Sequence, residues 1–366
     1  MTICLSVGGS TVYQSDHPSN DLLVGTVDGV VLLSRNSPGS EWSERRRTLQ
    51  GKHVSSLLFE PSRGTLFAGV HKDGIYASLD AGATWQRRDD GIEFKDIYSM
   101  SCVEVDGQVR LYAGSEPAHL YRSTDLGASW EALPAVRSVP TVDKWTFPAP
   151  PHIGHVKHIS FDPRSADVIY ASIEVGGALK SEDGGRTFRD LPGVYEDVHR
   201  IIIPPTAPDR LYTTGGEGIW HSPDAGKTWT HLAPAPVGIS YPDGFVVHPH
   251  DANLLYTSGS FCSPGGWRKT MTADSRIARS RDAGRTWERL ENGLPEHVHG
   301  NFEALIMEVW AGGYALAAAN TDGEVYYSGD QGDTWARIAD GLPAVSKAGH
   351  FRNIPRGDEP ALAAAR

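Results

Sequence analysis

The sequence predicts an all-β chain folded as a seven-bladed β-propeller of four-stranded antiparallel blades, and three observations carry that prediction. An eight-residue phrase, Ser-x-Asp-x-Gly-x-Thr-Trp in outline, runs at Ser78–Trp85, Ser123–Trp130, Ser181–Phe188, Ser222–Trp229, Ser280–Trp287 and Ser328–Trp335, with a worn copy at Ser34–Trp42. The serines of the seven copies stand 44, 45, 58, 41, 58 and 48 residues apart, a period that signals a repeat architecture. Forty Gly and 24 Pro in 366 residues, with few helical patterns, fit many short strands and tight turns.

One unit shows the plan of a blade. His53–Pro61, Thr65–Gly69, Gly74–Ser78 and Ala83–Arg87 are short runs rich in β-branched or aromatic residues and bounded by Gly, Pro or Asp, the pattern of four strands. The order recurs where Phe161-Asp162-Pro163 precedes Val168–Tyr170, Ile203–Pro205 precedes Arg210–Tyr212, and His248-Pro249 precedes Leu254–Tyr256. His17-Pro18 before Asp21–Leu23 places the inner strand of the first blade near residues 11–16. Closure of the ring is left to residues 2–8 or to Ala348–Pro355. A single propeller over 1–355 followed by a tail over 356–366 is the expected organisation.

The phrase itself reads as a turn between third and fourth strands. Asp accepts bonds from backbone N–H groups further on, Gly supplies a positive φ, and Ser and Thr tie the strand ends. The Trp that follows packs between blades, so these aspartates are structural. The formal charge of -11, from 34 Lys and Arg against 45 Asp and Glu, disfavours nucleic acid as a partner, since its binders usually carry a basic stripe. Cys4, Cys102 and Cys262 make neither a disulfide framework nor a zinc-ligand pattern. The first residues lack a signal peptide's basic and apolar regions and no apolar run spans a membrane, so the cytoplasm is the expected compartment, with no membrane partner and homo-oligomers left open.

The repeated phrase resembles the Asp-box, or BNR repeat, shared by sialidases, sortilin-type receptors, xyloglucan-cleaving glycoside hydrolases and photosystem assembly factors. The resemblance covers nearly the whole chain and implies the propeller fold; it spans enzymes and binding scaffolds alike. A sialidase would add an early Arg-Ile-Pro stretch, an arginine triad, and a Tyr with a Glu partner. Nothing before the first phrase matches, and Phe351-Arg352-Asn353-Ile354-Pro355 is an echo with an Asn inserted. No sialidase residue carries over.

If the phrase marks one face as mechanical, the opposite face gathers the loops that lead into the inner strands. Those approaches carry His53, Asp96, His155 with His158, Asp197 with His199, Asp243, His297 with His299 and Glu303, and His350. Imidazoles and carboxylates converging on one axis suit Zn²⁺, Mn²⁺ or Fe²⁺, with His53, His155, His199, His299, His350 and Glu303 as the ligand set and no organic cofactor. The competing reading is a wet channel of histidines bonded to one another and to strand ends. His199, Asp197, His158, Tyr195 and Asp243 are the candidate proton-transfer groups. Period-2 alternation separates His155 from His158 and puts Arg200 opposite His199.

Pro134–Pro151 and Ser258–Arg276 account for the two 58-residue steps. Each sets Trp beside cations, Trp145 with Lys144 and Trp267 with Arg268. Together with Arg352, they form an expected aromatic and cationic wall for an anionic or sugar-like substrate; packing on a neighbouring subunit is the alternative. Two functions therefore stand: a metal-assisted hydrolase or lyase acting on a polar small molecule or sugar derivative, and a non-catalytic scaffold that binds a protein or peptide on the same face.

Overall fold

The computed structural model describes residues 2–232 and 237–354, and within them the chain forms seven sheets arranged as the blades of a propeller. Strands are numbered β1 to β29 in chain order. Six blades take four consecutive strands in antiparallel order, as in β6 (Val54–Glu60), β7 (Thr65–Val70), β8 (Gly74–Ser78) and β9 (Gln86–Arg87). Their inner strands are β6, β10 (Asp96–Val105), β14 (Val156–Asp162), β18 (Val198–Ile202), β22 (Tyr241–His248) and β26 (Phe302–Trp310).

Each turn phrase closes on itself as its residue types require. In the Ser78 copy, Asp80 Oδ1 accepts from the Thr84 N–H at 2.8 Å and Oδ2 from the Thr84 hydroxyl at 2.6 Å, while Ser78 Oγ accepts from the Gly82 N–H at 2.9 Å. The same bonds form around Asp125, Asp183, Asp224, Asp282 and Asp330, with Ser129 replacing Thr in the second copy. The phrase also joins blades. Trp85 Nε1 donates to Thr48 Oγ1 of the preceding blade at 3.0 Å, and the Tyr212 and Tyr256 hydroxyls donate to the Ala283 and Gln331 carbonyls of the following turns. Phe67, Tyr112, Tyr170, Tyr212 and Tyr256, one from each of five second strands, are fully buried and fill the space between blades.

The first blade departs from the expected plan. Its inner strand is β1 (Ile3–Leu5), which pairs in parallel with β3 (Asp21–Thr26), Ile3 opposite Leu22. Residues 12–14 do form a strand, β2, but it pairs in parallel with β26 and adds a fifth strand to the last blade, Val12 opposite Met307. The His17-Pro18 signal therefore located a strand correctly and assigned it to the wrong blade. Between β1 and β2 the chain crosses the axis as a strap. Gly8 N–H donates to the Ser55 carbonyl, Met100 N–H to the Gly8 carbonyl and Met307 N–H to the Thr11 carbonyl, while Arg200 Nη2 reaches the Val7 carbonyl at 2.7 Å.

The strap closes the ring and lies between the two ends of the axis: a packed set of buried side chains at the loop end, the upper chamber, and a cavity on the side of the turn phrases, the lower chamber. A Cβ on Gly8 would lie 1.9 Å from the Tyr98 carbonyl oxygen, and one on Gly9 1.9 Å from that of Leu57, so glycine is what lets the strap approach both strands. Residues 350–353 form a 3-10 turn rather than a closing strand. Pro355 and the expected tail lie outside the described residues.

Trp130 and Trp335 are each 5% exposed whereas Trp85 and Trp229 are half-buried. Trp335→Ala is expected to cost about 3–5 kcal/mol and Trp85→Ala less, measured by urea unfolding. Gly9→Ala is expected to cost about 1–3 kcal/mol through overpacking against backbone.

Candidate functional site

Every antiparallel inner strand carries a one-residue bulge at the same height. The pairing register skips Ser55, Tyr98, Lys157, His199, Asp243 and Glu303, so two residues face one on the second strand. A bulge re-aims a side chain and bends its strand. Four of the six, Lys157, His199, Asp243 and Glu303, deliver charged or titratable groups to one buried cluster in the upper chamber; Tyr98 lies against it, its ring stacked on His155 at 3.6 Å between centroids.

The centre of that cluster is Lys347, 2% exposed, carried in by the segment after the last strand. Its Nζ lies 2.8 Å from Asp243 Oδ1 and 3.2 Å from Glu174 Oε1, and its backbone N–H donates to Glu303 Oε2 at 2.6 Å. Glu174 also meets Lys157 Nζ at 3.3 Å and His155 Nε2 at 3.0 Å. Asn301 Nδ2 donates to Asp243 Oδ2 at 2.6 Å, and His350 Nδ1 lies 3.2 Å from Glu303 Oε1.

Burial and pairing compete at each charge. Burial works to raise the Asp243 carboxyl, but Lys347 and then His199 hold it down at about 2. Burial likewise opposes ionisation of Glu174, which Lys157 and Lys347 keep well below the usual carboxylate range. For Lys157 burial prevails over the pull of Glu174, with Lys347 adding to it, and brings the ammonium down to about 8. Glu116, Glu174, Asp197, Asp243 and Glu303 give five carboxyl groups; Lys157, Lys347 and Arg200 give three cations. Before any imidazole takes a proton, two negative charges remain without a cationic side chain.

Three ligand atoms gather where that deficit lies. Glu174, Asp197 and His199 offer donor atoms all within 4.8 Å of one another. His199 Nε2 stands 3.3 Å from Asp197 Oδ1 and 3.9 Å from Glu174 Oε1. Both His199 Nε2 and Asp197 Oδ1 are buried without a hydrogen-bond partner, as are His155 Nδ1 and Asn301 Oδ1. His199 Nδ1 faces the Pro242 carbonyl at 3.0 Å, which orients the ring.

The six expected metal ligands do not meet at one point. His53 Nε2 bonds the Ser346 carbonyl at 2.9 Å, His299 is turned outward to Asp322 at 2.7 Å, and His350 is paired with Glu303. His155 and His199 belong to the cluster, and Glu303 is held by Lys347 and His350. Of the expected proton-transfer groups, Asp197, His199 and Asp243 are brought together, while Tyr195 sits half-buried on the rim near Glu217 and Asp197. His158 is a correction: His155 and Lys157 leave the strand on one face and enter the cluster, while His158 leaves on the other, as period-2 alternation separates it from His155, and lines the lower chamber.

The aromatic wall is also corrected. Trp267 is fully buried in helix α1 (Pro264–Thr270), its Nε1 donating to the Cys262 carbonyl at 2.8 Å, and Trp145 packs half-buried with Nε1 on Thr141 Oγ1. Lys144, Arg268 and Arg352 are exposed, Arg268 bonding Asn353 Oδ1 at 2.8 Å. Both long connections instead close the upper chamber, Phe147 lying over His155 and His350, and Trp267 against His350. Asn301 and Lys347 are the site residues missed from sequence; Glu174 is placed by sequence in a second-to-third strand turn on this face and Lys157 at an inner-strand entry, but neither is assigned there to the site. Aligning the six approaches, His53-Val-Ser55, Asp96-Ile-Tyr98, His155-Val-Lys157, Asp197-Val-His199, Tyr241-Pro-Asp243 and Asn301-Phe-Glu303, exposes the bulge column; Lys347 and Glu174 have no such column.

No protein-family model matches the chain. Over 162 residues it is 27% identical to a xyloglucanase of Acetivibrio thermocellus, covering 38% of this chain and 18% of that enzyme. Over 160 residues it is 29% identical to a xyloglucanase of a Paenibacillus species, covering 37% of this chain and 14% of that enzyme. The match therefore spans less than a fifth of either relative. Among solved structures, a GH74 enzyme of Niastella koreensis superposes with a TM-score of 0.61 at 18% identity, covering 92% of this chain and 55% of that one. YCF48 bound to D1 peptide superposes with a TM-score of 0.55 at 16% identity, covering 87% of this chain and 99% of that one. These structural likenesses share the propeller fold.

Lys347→Met is expected to destabilise the protein by about 3–5 kcal/mol, because it leaves Asp243 and Glu174 buried and unpaired; adding Asp243→Asn returns part of the loss in urea unfolding. Burial and the neighbouring charge of His71 push His53 down to about 3, and burial and Arg200 do the same to His158. Between roughly pH 6.5 and 3 the unfolded chain then binds protons that these folded rings do not, so stability falls as pH falls through that window. A His53→Gln/His158→Gln variant is expected to lose melting temperature less steeply on acidification than the parent.

Proposed function

We propose that the upper chamber is the reaction centre of a metal-assisted hydrolase whose substrate is a small, polar, carbohydrate-like molecule. The observation that carries this reading is the trio Glu174, Asp197 and His199, with His199 Nε2 and Asp197 Oδ1 buried, 3.3 Å apart, and making no hydrogen bond to each other or to another described group. Buried polar atoms without partners call for an explanation, and a divalent cation answers both these atoms and the deficit of two positive charges. One imidazole and two carboxylates suit Zn²⁺, Mn²⁺ or Fe²⁺ and leave coordination positions open. When bound, such an ion lowers the pKa of a coordinated water and polarises a substrate oxygen.

The chain's own groups supply the rest. Lys157, whose ammonium is destabilised by burial, stands 3.3 Å from Glu174. Asn301 Oδ1 offers a free acceptor to a substrate hydroxyl while its Nδ2 holds Asp243. Lys347 keeps Asp243 and Glu174 ionised. Phe147 and Trp267 exclude bulk water, which strengthens every charge interaction beneath them; movement of one of the covering segments has to precede substrate entry. The xyloglucanase relatives support a hydrolase acting on carbohydrate.

A scaffold reading has one observation in its favour: YCF48 bound to D1 peptide is matched over 99% of its length, whereas the GH74 chain is matched over 55%. Against it, the large hydrophobics exposed among the described residues are Leu79, Phe261 and Met271, with no aromatic platform at Trp145 or Trp267.

Protein purified without chelator is expected to carry close to one transition-metal ion per chain by elemental analysis, falling below about 0.1 in Asp197→Asn/His199→Ala. Hydrolysis of a panel of chromogenic glycosides is expected to follow metal content through chelation and reloading. Wild-type protein below about 0.1 ion per chain after incubation with Zn²⁺, Mn²⁺ or Fe²⁺ would overturn the metal part, and a loaded protein inactive on every glycoside but retaining a peptide would favour the scaffold.

A further inference from the structure

Below the strap, on the side of the turn phrases, the lower chamber opens as a cavity of about 260 Å³. Its walls are mostly apolar, with Met100, Phe161, Ile202 and Val247 among them, and Ser10 of the strap forms part of its roof. The strap separates it from the charged cluster above, so it shares neither that cluster's carboxylates nor its lysines.

One polar group in this wall is set up to receive a ligand. Ser160 Oγ donates to the Ile201 carbonyl at 2.5 Å and therefore accepts from His158 Nδ1 at 3.3 Å; the Ile201 carbonyl also lies within reach of the ring N–H. That arrangement places the ring proton on Nδ1 and the lone pair on Nε2. Among the described residues no hydrogen bond ends on Nε2, and His158 lines the cavity while only 8% exposed. Burial and the nearby Arg200 guanidinium keep the ring uncharged down to about pH 3, and the same guanidinium disfavours a cationic guest. Because the Ser160 proton is committed to a carbonyl, His158 does not activate it as a nucleophile; the pair binds and does not react.

We propose that the lower chamber is a second binding site, independent of the upper one, for a small uncharged molecule with an apolar body and one hydroxyl or N–H group that donates to His158 Nε2. The apolar walls take the body of the guest, and the single acceptor sets its orientation. Donation to Nε2 is the discriminating contact, since a guest of the same shape without a donor leaves that acceptor buried and unsatisfied.

The test uses the full chain labelled with 15N-histidine and two probes of similar shape, benzyl alcohol and toluene. Benzyl alcohol is expected to move the His158 Nε2 resonance saturably, and toluene to bind about three- to tenfold more weakly. His158→Phe is expected to abolish the preference for the alcohol. Absence of a saturable response to benzyl alcohol up to its solubility, equal binding of the two probes, or a preference kept in a folded His158→Phe protein would each overturn the proposal. Should His158→Phe not fold, the wild-type comparison of the two probes decides alone.

Discussion

The bulge in each of the six antiparallel inner strands is the constraint on which the upper chamber depends. A regular strand would alternate its side chains between two blade interfaces, both filled with apolar residues, and would leave no side chain for the axis. Skipping one residue in six registers frees Lys157, His199, Asp243 and Glu303 from that alternation and lets them meet. The cost is a set of charges out of water, which is tolerable only when each is paired. Lys347, brought from a segment more than a hundred residues from Glu174 and Asp243, supplies the pairing at the centre, and the fold therefore stays committed to the segment after the last strand, which lies on top of the site.

What was legible in the sequence follows from the range of the interactions concerned. The turn phrase is a closed hydrogen-bonded unit of eight residues, so its copies state both the number of blades and which face they occupy; the Asp80 and Asp224 carboxylates sit in the turns as their spacing demands. The first blade was misread because its inner strand is parallel and three residues long, a pairing between segments that no local pattern reports. His158 was misplaced for a different reason: its residue type put it among the proton-transfer groups, although period-2 alternation already sets it on the face opposite His155. His299 carries the expected residue type at the expected height yet turns outward to Asp322, since composition at a strand end says nothing about which way the side chain leaves it.

The same geometry explains why the fold alone does not decide the activity. A propeller gives any occupant of its axis a ring of strand ends, and the structures that share this fold include both a GH74 enzyme and YCF48 bound to D1 peptide. What bears on activity in this chain is the chemistry in the ring: an excess of carboxylates over cations, two facing donor atoms that make no hydrogen bond, and a lid of aromatic side chains. The strap adds a second feature. By closing the ring with backbone hydrogen bonds it also isolates the lower chamber, so two environments of opposite character, one charged and one mostly apolar, share a single axis.

The most direct measurement is a crystal structure of the full chain grown without chelator in the presence of Mn²⁺, with diffraction recorded at a wavelength where manganese scatters anomalously. The account predicts a single anomalous peak in the upper chamber at coordination distance, about 2.0–2.3 Å, from His199 Nε2, Asp197 and Glu174. A chamber without such a peak, with the charge deficit met instead by protonated imidazoles around Lys347, would contradict it.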